Sequence, residues 1–276
     1  MSAPADQLAV VSGVASFLRW RCDGPGAEPG PGELDCAVLA RDAGAVAAAV
    51  ADSADGRGSD DPQVAASLWW QGYAYRVAGT ALACWLMTGT APDVRAAGMA
   101  VGIARSRPSS VVYRPAGAAG GPGATTDLDT FVDWLFPGHL DPVAATLRAG
   151  TRIGAALVWG NVAAACASGA GAVREAAGPA WHPRLDAFLA AAPHGLAGLG
   201  AWAPTPDRRG WAFHRRTCCL WWKTAVSGGA LCADCSLHRS DDTRTSGDTP
   251  TDDVTDRSRP SATPTTPAPW ATHPPT

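Results

Sequence analysis

Apolar residues recur at helical spacing along two long stretches of the chain. The first opens at Asp61-Pro62, a side-chain cap followed by a proline suited to a first helical turn. It continues through "QVAASLWWQGYAYRVAGTALACWLM" to Met87, ahead of Gly89. The second opens at Asp141-Pro142 and continues through "VAATLRAGTRIGAALVWGNVAAACASGA". Leu8, Val11, Phe17 and Leu18 predict an earlier helix, and shorter ones are expected over 40–52 and 183–192. Between the long helices the pattern changes. Met99 to Ile103 and Ser110 to Tyr113 are short runs on either side of Ser-Arg-Pro-Ser, which predicts a hairpin or small sheet. Residues 116–127, "AGAAGGPGATTD", read as a flexible loop. The pattern therefore predicts a mainly α fold with a small β hairpin or sheet (α+β), a helical domain followed by a cysteine-rich module.

Composition adds boundaries to that picture. With 276 residues, 46% of them hydrophobic, the chain can fill a real core. The formal net charge of −3 is carried by the end of the chain, where six aspartates from Asp241 onward face Arg244, Arg257 and Arg259. Residues 1–240 are thus neutral overall, and no basic surface points to nucleic acid. Residues 241–276 are Ser, Thr, Pro and Asp with few apolar side chains, so they are expected to be a disordered tail after a single domain over 1–240. The first twenty residues have an aspartate where a signal peptide would be basic, and no continuous apolar core. The most apolar long segment, 153–173, is crowded with Gly, Ala, Ser and Asn161, which suits a packed core helix better than a membrane span. A cytoplasmic location is expected, and there clustered cysteines point to metal before disulfide.

Four of eight cysteines, Cys218, Cys219, Cys232 and Cys235, fall within "HRRTCCLWWKTAVSGGALCADCSLHRS", residues 214–240, in the order C-C-x12-C-x2-C. Cys232-Ala-Asp-Cys235 has the spacing of a zinc knuckle, whereas adjacent Cys218 and Cys219 project in different directions and suit one small ion poorly. A [2Fe-2S] cluster needs two thiolates per iron and accepts more divergent approaches. On spacing alone, zinc and iron–sulfur stand close to level. Trp211, Phe213, Trp221 and Trp222 bracket the doublet and would partly exclude water, or are simply core aromatics of a small module.

"RRTCCLWWK...GGALCADCSL" resembles the carboxy-terminal motif of the FhuF-type ferric siderophore reductase family, in which Cys-Cys-x10-Cys-x2-Cys binds a [2Fe-2S] cluster. "ASLWWQGYAYRVAGTAL" at 66–82 and "AALVWGNVAAA" at 155–165 resemble two helical motifs of that family in the same order. The doublet-to-knuckle spacing is twelve where the family pattern has ten, and the extra length falls in "TAVSGGA", where Ser227-Gly228-Gly229 can form a wider turn. The resemblance implies that Cys218, Cys219, Cys232 and Cys235 hold the cluster in a module over 207–240. It also implies one-electron reduction of a ferric siderophore, whose hard oxygen donors hold Fe(II) far less tightly than Fe(III). No phosphate loop, nucleophile elbow or dinucleotide fingerprint occurs in the sequence, so electrons are expected from a ferredoxin, a flavoprotein or a small reductant. The alternatives are a zinc-stapled binding module and an iron–sulfur sensor without turnover.

Arg208, Arg209, His214, Arg215, Arg216, Lys223 and Arg239 crowd the module. They would make a cationic rim for an anionic chelate or acidic donor, or would be solvated and paired with carboxylates such as Asp207 and Asp234. Arg215, Arg216 and Lys223, with Gln71, Arg76 and Asn161 on the long helices, are the substrate-site candidates. Asn161, an amide among small residues in mid-helix, has to be hydrogen-bonded if buried, by bridging the helices or by touching substrate. Cys84 and Cys166 are expected to be inert buried thiols. His214 and His238 flank the module, yet four cysteines already suffice as ligands.

Overall fold

The computed structural model describes residues 4–14, 18, 20–23, 27–55, 58–114, 123–204 and 211–237. The expected tail over 241–276, residues 115–122 of the expected loop, Phe17, and Asp207, Arg208, Arg209, His238 and Arg239 lie outside the described residues. Helix α1 (Pro4–Val14) leads to strand β1 (Trp20–Cys22), and β2 (Glu33–Asp35) runs directly into the short α2 (Cys36–Leu39) and then α3 (Ala43–Asp55). Helix α4 (Pro62–Ala74) continues through a π-helical turn (Tyr75–Gly79) into α5 (Thr80–Thr88). Strands β3 (Ala91–Pro92), β4 (Met99–Ala104), β5 (Arg107–Tyr113) and β6 (Ala124–Thr125) follow. Helix α6 (Leu128–Leu135), a second π-helical turn (Phe136–Leu140), α7 (Asp141–Gly150), α8 (Ala155–Ala177) and α9 (Trp181–Ala191) complete the helical body. Strands β7 (Gly200–Pro204) and β8 (Trp211–Arg215) lead into the cysteine module. The fold is mainly α with small sheets, as the pattern predicts.

Local chemistry explains most boundaries. The Asp61 carboxylate accepts from the Gln63 and Val64 amides, and with Pro62 in the first turn it starts α4 where the sequence places it. Such a cap is worth about 1 kcal/mol. The stretch ends past Met87, where Gly89 takes a left-handed conformation (φ 68°) that only glycine adopts freely. The predicted start at Asp141-Pro142 is corrected, because the chain is already helical through α6 and the second π turn. Asp141 is no cap; its Oδ1 accepts from His194 Nε2 at 2.7 Å. The interruption instead falls at 151–154. Thr151 is extended, its hydroxyl donates back to the Leu147 carbonyl at 2.7 Å, and Gly154 restarts the chain as α8. Helix α1 likewise stops at Val14, so Leu18 is buried beyond it rather than within it.

The hairpin over 99–113 forms, but its turn is Arg105-Ser106, both with positive φ, so Arg107 and Pro108 belong to β5. The sheet is larger than predicted, with order β1-β5-β4-β2, β1 running parallel to β5 and the other pairs antiparallel. Trp69, Trp70, Tyr73, Phe131, Phe136 and Phe188 fill the core. Helix α8 is long and apolar enough to cross a membrane, but 67% of its apolar window is buried inside the protein. It packs against the first π turn by backbone contact. A Cβ on Gly169 would fall 2.1 Å from the Gly79 carbonyl oxygen, which no larger residue allows. That contact sets the distance between the two long helical stretches that carry the module.

Candidate metal centre

Strand β8 pairs antiparallel with β7, setting Gly200 opposite Arg215 and Trp202 opposite Phe213. Alternation along β8 turns Phe213 toward Trp202, with ring centroids 5.8 Å apart, and leaves His214 exposed. The chain then leaves the strand at Arg216, whose amide donates to the Leu199 carbonyl at 2.8 Å. Thr217 rests on Gly160 of α8 so closely that a Cβ there would lie 1.8 Å from the threonine Oγ1. Leu220, directly after the doublet, is left-handed (φ 69°), a conformation rare outside glycine, and it turns the chain into the 3-10 turn Trp221–Lys223. The longer connection to the knuckle is taken up by a second 3-10 turn, Ala225–Ser227, ending at left-handed Gly228 and Gly229.

Cys219, Cys232 and Cys235 are buried together against Val64 and Leu68 of α4, and Cys218, half-buried, packs beside them with Leu220, Trp221 and Leu231. The sulfurs meet as two pairs, each with one member from the doublet and one from the knuckle. Cys219 Sγ lies 3.4 Å from Cys232 Sγ, and Cys218 is in hydrogen-bonding range of Cys235. All are free thiols. Two thiolates on one tetrahedral metal with bonds of about 2.3 Å sit about 3.8 Å apart, so the Cys219–Cys232 separation is near that of a shared ion. Among the described residues no group of three or more His, Cys, Asp and Glu side chains is set to hold a single ion. Backbone amides two residues on point at the sulfurs, Leu220 N to Cys218 Sγ and Leu237 N to Cys235 Sγ, both at 3.4 Å, and Trp221 N toward Cys219. Such donors favour thiolate over thiol.

The pairs are electrostatically unequal. The hydrogen bond from Cys232, aided by the Arg215 guanidinium and the Trp221 amide, holds the Cys219 thiol down at about 7 against its burial. Cys232 is pushed far up by the same hydrogen bond and by burial. Burial raises Cys218.

A buried polar chain fastens the module to the helical body. Ser67 Oγ of α4 donates to the Cys219 carbonyl at 2.9 Å, and Asn161 Nδ2 of α8 donates to the Ser67 carbonyl at 2.9 Å and to Ser67 Oγ at 3.1 Å. Arg215 Nη1 donates to Asn161 Oδ1 at 2.9 Å, and Arg215 Nε to Asp234 Oδ2 at 2.8 Å. Asn161 thus bridges the long helices, one of its two sequence expectations. Ser67 was not singled out by sequence reasoning, although a serine amid the apolar residues of α4 was the available signal.

Several candidates need correction. Arg215 is 2% exposed and so is no part of a cationic rim; strand alternation turns it inward with Phe213. Among the described residues the exposed charges at the module are Arg216 and Lys223, the latter 3.8 Å from Asp61, with His214 also exposed. Arg76 is half-buried against the sheet, donating Nε to the Ser109 carbonyl at 2.8 Å, and burial draws its pKa down to about 10. Its place is between helix and sheet rather than at an open site. Gln71, half-buried, is four residues beyond Ser67 and shares its face of α4. Of the four bracketing aromatics, Trp221 packs on the cysteines, Phe213 packs on the main core, and Trp222 is exposed. The Trp211 side chain lies outside the described residues.

The family model described as "Ferric iron reductase FhuF-like transporter" matches residues 67–195. That span begins at Ser67, contains Asn161, and ends before the cysteine module. None of the curated proteins matches the chain. A solved structure, aerobactin synthetase IucC from a hypervirulent pathotype of Klebsiella pneumoniae, is similar at a TM-score of 0.40 and 15% identity over 58% of this chain. The similarity takes in 32% of that protein's length. Over residues 67–195, the helical body that holds the cysteine module is similar to the FhuF-like ferric iron reductase family.

Proposed function

We propose that this protein is a [2Fe-2S] ferric siderophore reductase in which Cys218, Cys219, Cys232 and Cys235 are the four ligands. The observation that carries the proposal is the pairing of four free sulfurs, two by two, at the end of a FhuF-like helical body. Two irons need two thiolates each, which matches the donor set, whereas a single zinc ion needs all four to converge. When bound, such a centre supplies single electrons at a potential set by its surroundings.

The residues of the chain divide the remaining work. Val64, Leu68 and Trp221 keep water from the inner side of the sulfurs, and Ser67 with Asn161 fixes the doublet against α4 and α8. Cys218, the half-buried member of the four, would mark the outer edge, and Arg216, Trp222 and Lys223 of the same module are exposed. A ferric chelate docking there would receive one electron, become the Fe(II) complex and lose its metal, since hard oxygen donors hold Fe(II) weakly. Gln71 is a further candidate for contact with it. Electrons would come from a ferredoxin, a flavoprotein or a small reductant in the cytoplasm. Residues 1–240 would act as one domain.

Anaerobically purified full-length protein tests this. A red-brown spectrum that bleaches with dithionite, with about two irons and two acid-labile sulfides per chain, is expected. Colourless protein carrying zinc and no sulfide would replace the proposal with a zinc-stapled module.

A further inference from the structure

The arrangement contains a buried cation whose hydrogen bonding is incomplete. The Arg215 side chain has 0% exposure, and its Nη2 has no hydrogen-bond partner. A guanidinium stays charged at all ordinary pH, so burying it is costly unless negative charge surrounds it. Asp234 supplies one carboxylate, but that carboxylate is itself 20% exposed and looks partly to solvent. The other groups in electrostatic range are Cys219, Cys232 and Tyr75. Tyr75 is held neutral by burial. The cation therefore has an open donor, one partly solvated carboxylate, the neutral Asn161 amide oxygen, and two cysteine sulfurs in electrostatic range.

We propose that Arg215 is the built-in counter-charge of the metal centre, a positioning residue that sets how readily the centre accepts an electron. The proposal rests on the two-iron reading above. Four thiolates around two ferric ions and two sulfides carry net negative charge, which grows by one on reduction. A fixed cation in a poorly hydrated place favours that more negative state, and Asp234, between the knuckle cysteines, opposes it. Asn161 holds the guanidinium from α8, and Ser67 holds both the Asn161 amide and the Cys219 carbonyl. Cation and ligand are thereby fixed by one chain of hydrogen bonds, so their separation does not depend on a mobile surface arginine.

The test is a dye-mediated redox titration of the full-length protein, followed by visible absorption, with iron and sulfide assayed on each sample. Arg215→Met is expected to keep its iron and sulfide while its midpoint falls. At the wild-type midpoint its reduced-to-oxidised ratio should drop about tenfold, which is 59 mV for a one-electron couple. Arg215→Lys should recover most of that shift, and Asp234→Asn should move the midpoint upward. If Arg215→Met cannot hold the centre, Asn161→Asp, nearly the same shape, offsets the guanidinium in place and should lower the midpoint likewise. A fully loaded Arg215→Met or Asn161→Asp with an unmoved midpoint overturns the proposal, as does an Asp234→Asn shift that is nil or downward. Wild-type protein without iron and sulfide overturns the two-iron reading itself, so the two failures are told apart.

Discussion

The chain uses cysteine in two regions and to opposite ends. Cys36, Cys84 and Cys166 sit in the helical body, where burial pushes each thiol up to about 12, out of reach of ionisation. Cys219 is buried as deeply, at 1% exposure, yet is held at about 7. Depth is the same in both regions, and what differs is what else was buried with the sulfur. In the module a second thiol, a backbone amide and a guanidinium accompany it; in the body the neighbours of Cys84 and Cys166 are apolar. Burial alone raises the thiol, as at Cys166, whereas burial beside a second thiol, a backbone amide and a guanidinium leaves the Cys219 thiol lowered.

The comparison is broken most decisively by substitution in each region. Cys232→Ser should abolish the visible chromophore and the bound iron, while Cys166→Ala should leave both at wild-type levels. Equal loss in both, read by absorption and iron assay, would erase the distinction.

A second contrast concerns acid. His139 in the body is 0% exposed, with Nε2 accepting from the Tyr73 hydroxyl at 2.6 Å and Nδ1 donating to the Val94 carbonyl, and burial lowers its pKa to about 4. The unfolded chain takes up this proton below about pH 6.5, while the folded chain resists until about 4. Stability is therefore complete above pH 6.5 and falls by about 3 kcal/mol as pH drops to 4. Denaturant midpoints at pH 7 and 4 should show this loss, and His139→Gln should flatten it. A pH-independent midpoint in the wild type would refute the assignment.

Close packing gives a smaller expected effect. Gly160→Ala forces Thr217 off α8 and should cost about 2 kcal/mol while lowering iron occupancy. Gly13→Ala in α1, where an added Cβ meets nothing within 4 Å, should leave occupancy unchanged. Thermal melts with iron assays separate the two. Least of all, Lys223→Ala removes a solvent-exposed pair with Asp61 and should change stability by less than about 0.5 kcal/mol. A larger drop would mean that Lys223 holds the module in place.

Much of this contrast was legible before the structure. Asp61-Pro62 and Gly89 are local signals with local causes, so the first long helical stretch could be bounded from sequence. The break at 151–154 was not, because Ile153 keeps the apolar period while Thr151 folds its hydroxyl back on Leu147. Strands β1 and β2 exist through partners distant in sequence, β7 and β8 through each other, and three to five residues carry too little pattern to announce any of them. A charged residue in an unrecognised segment reads as surface, whereas in β8 the alternation of Phe213, His214 and Arg215 puts the arginine on the inner face. The cysteines were legible by count, but their cross-pairing depends on the turn at Leu220, which no propensity foretells.

The central claim is that a thiolate-held centre in this module passes single electrons to chelated ferric iron. Its most direct test is a single-turnover mixing experiment, in which anaerobic, prereduced, dithionite-free protein meets a ferric siderophore in the presence of a ferrous-specific dye. The account predicts that the bleached visible band returns while dye-bound Fe(II) appears at one per centre reoxidised. A centre that stays reduced, with no Fe(II) trapped over the same interval, would contradict it.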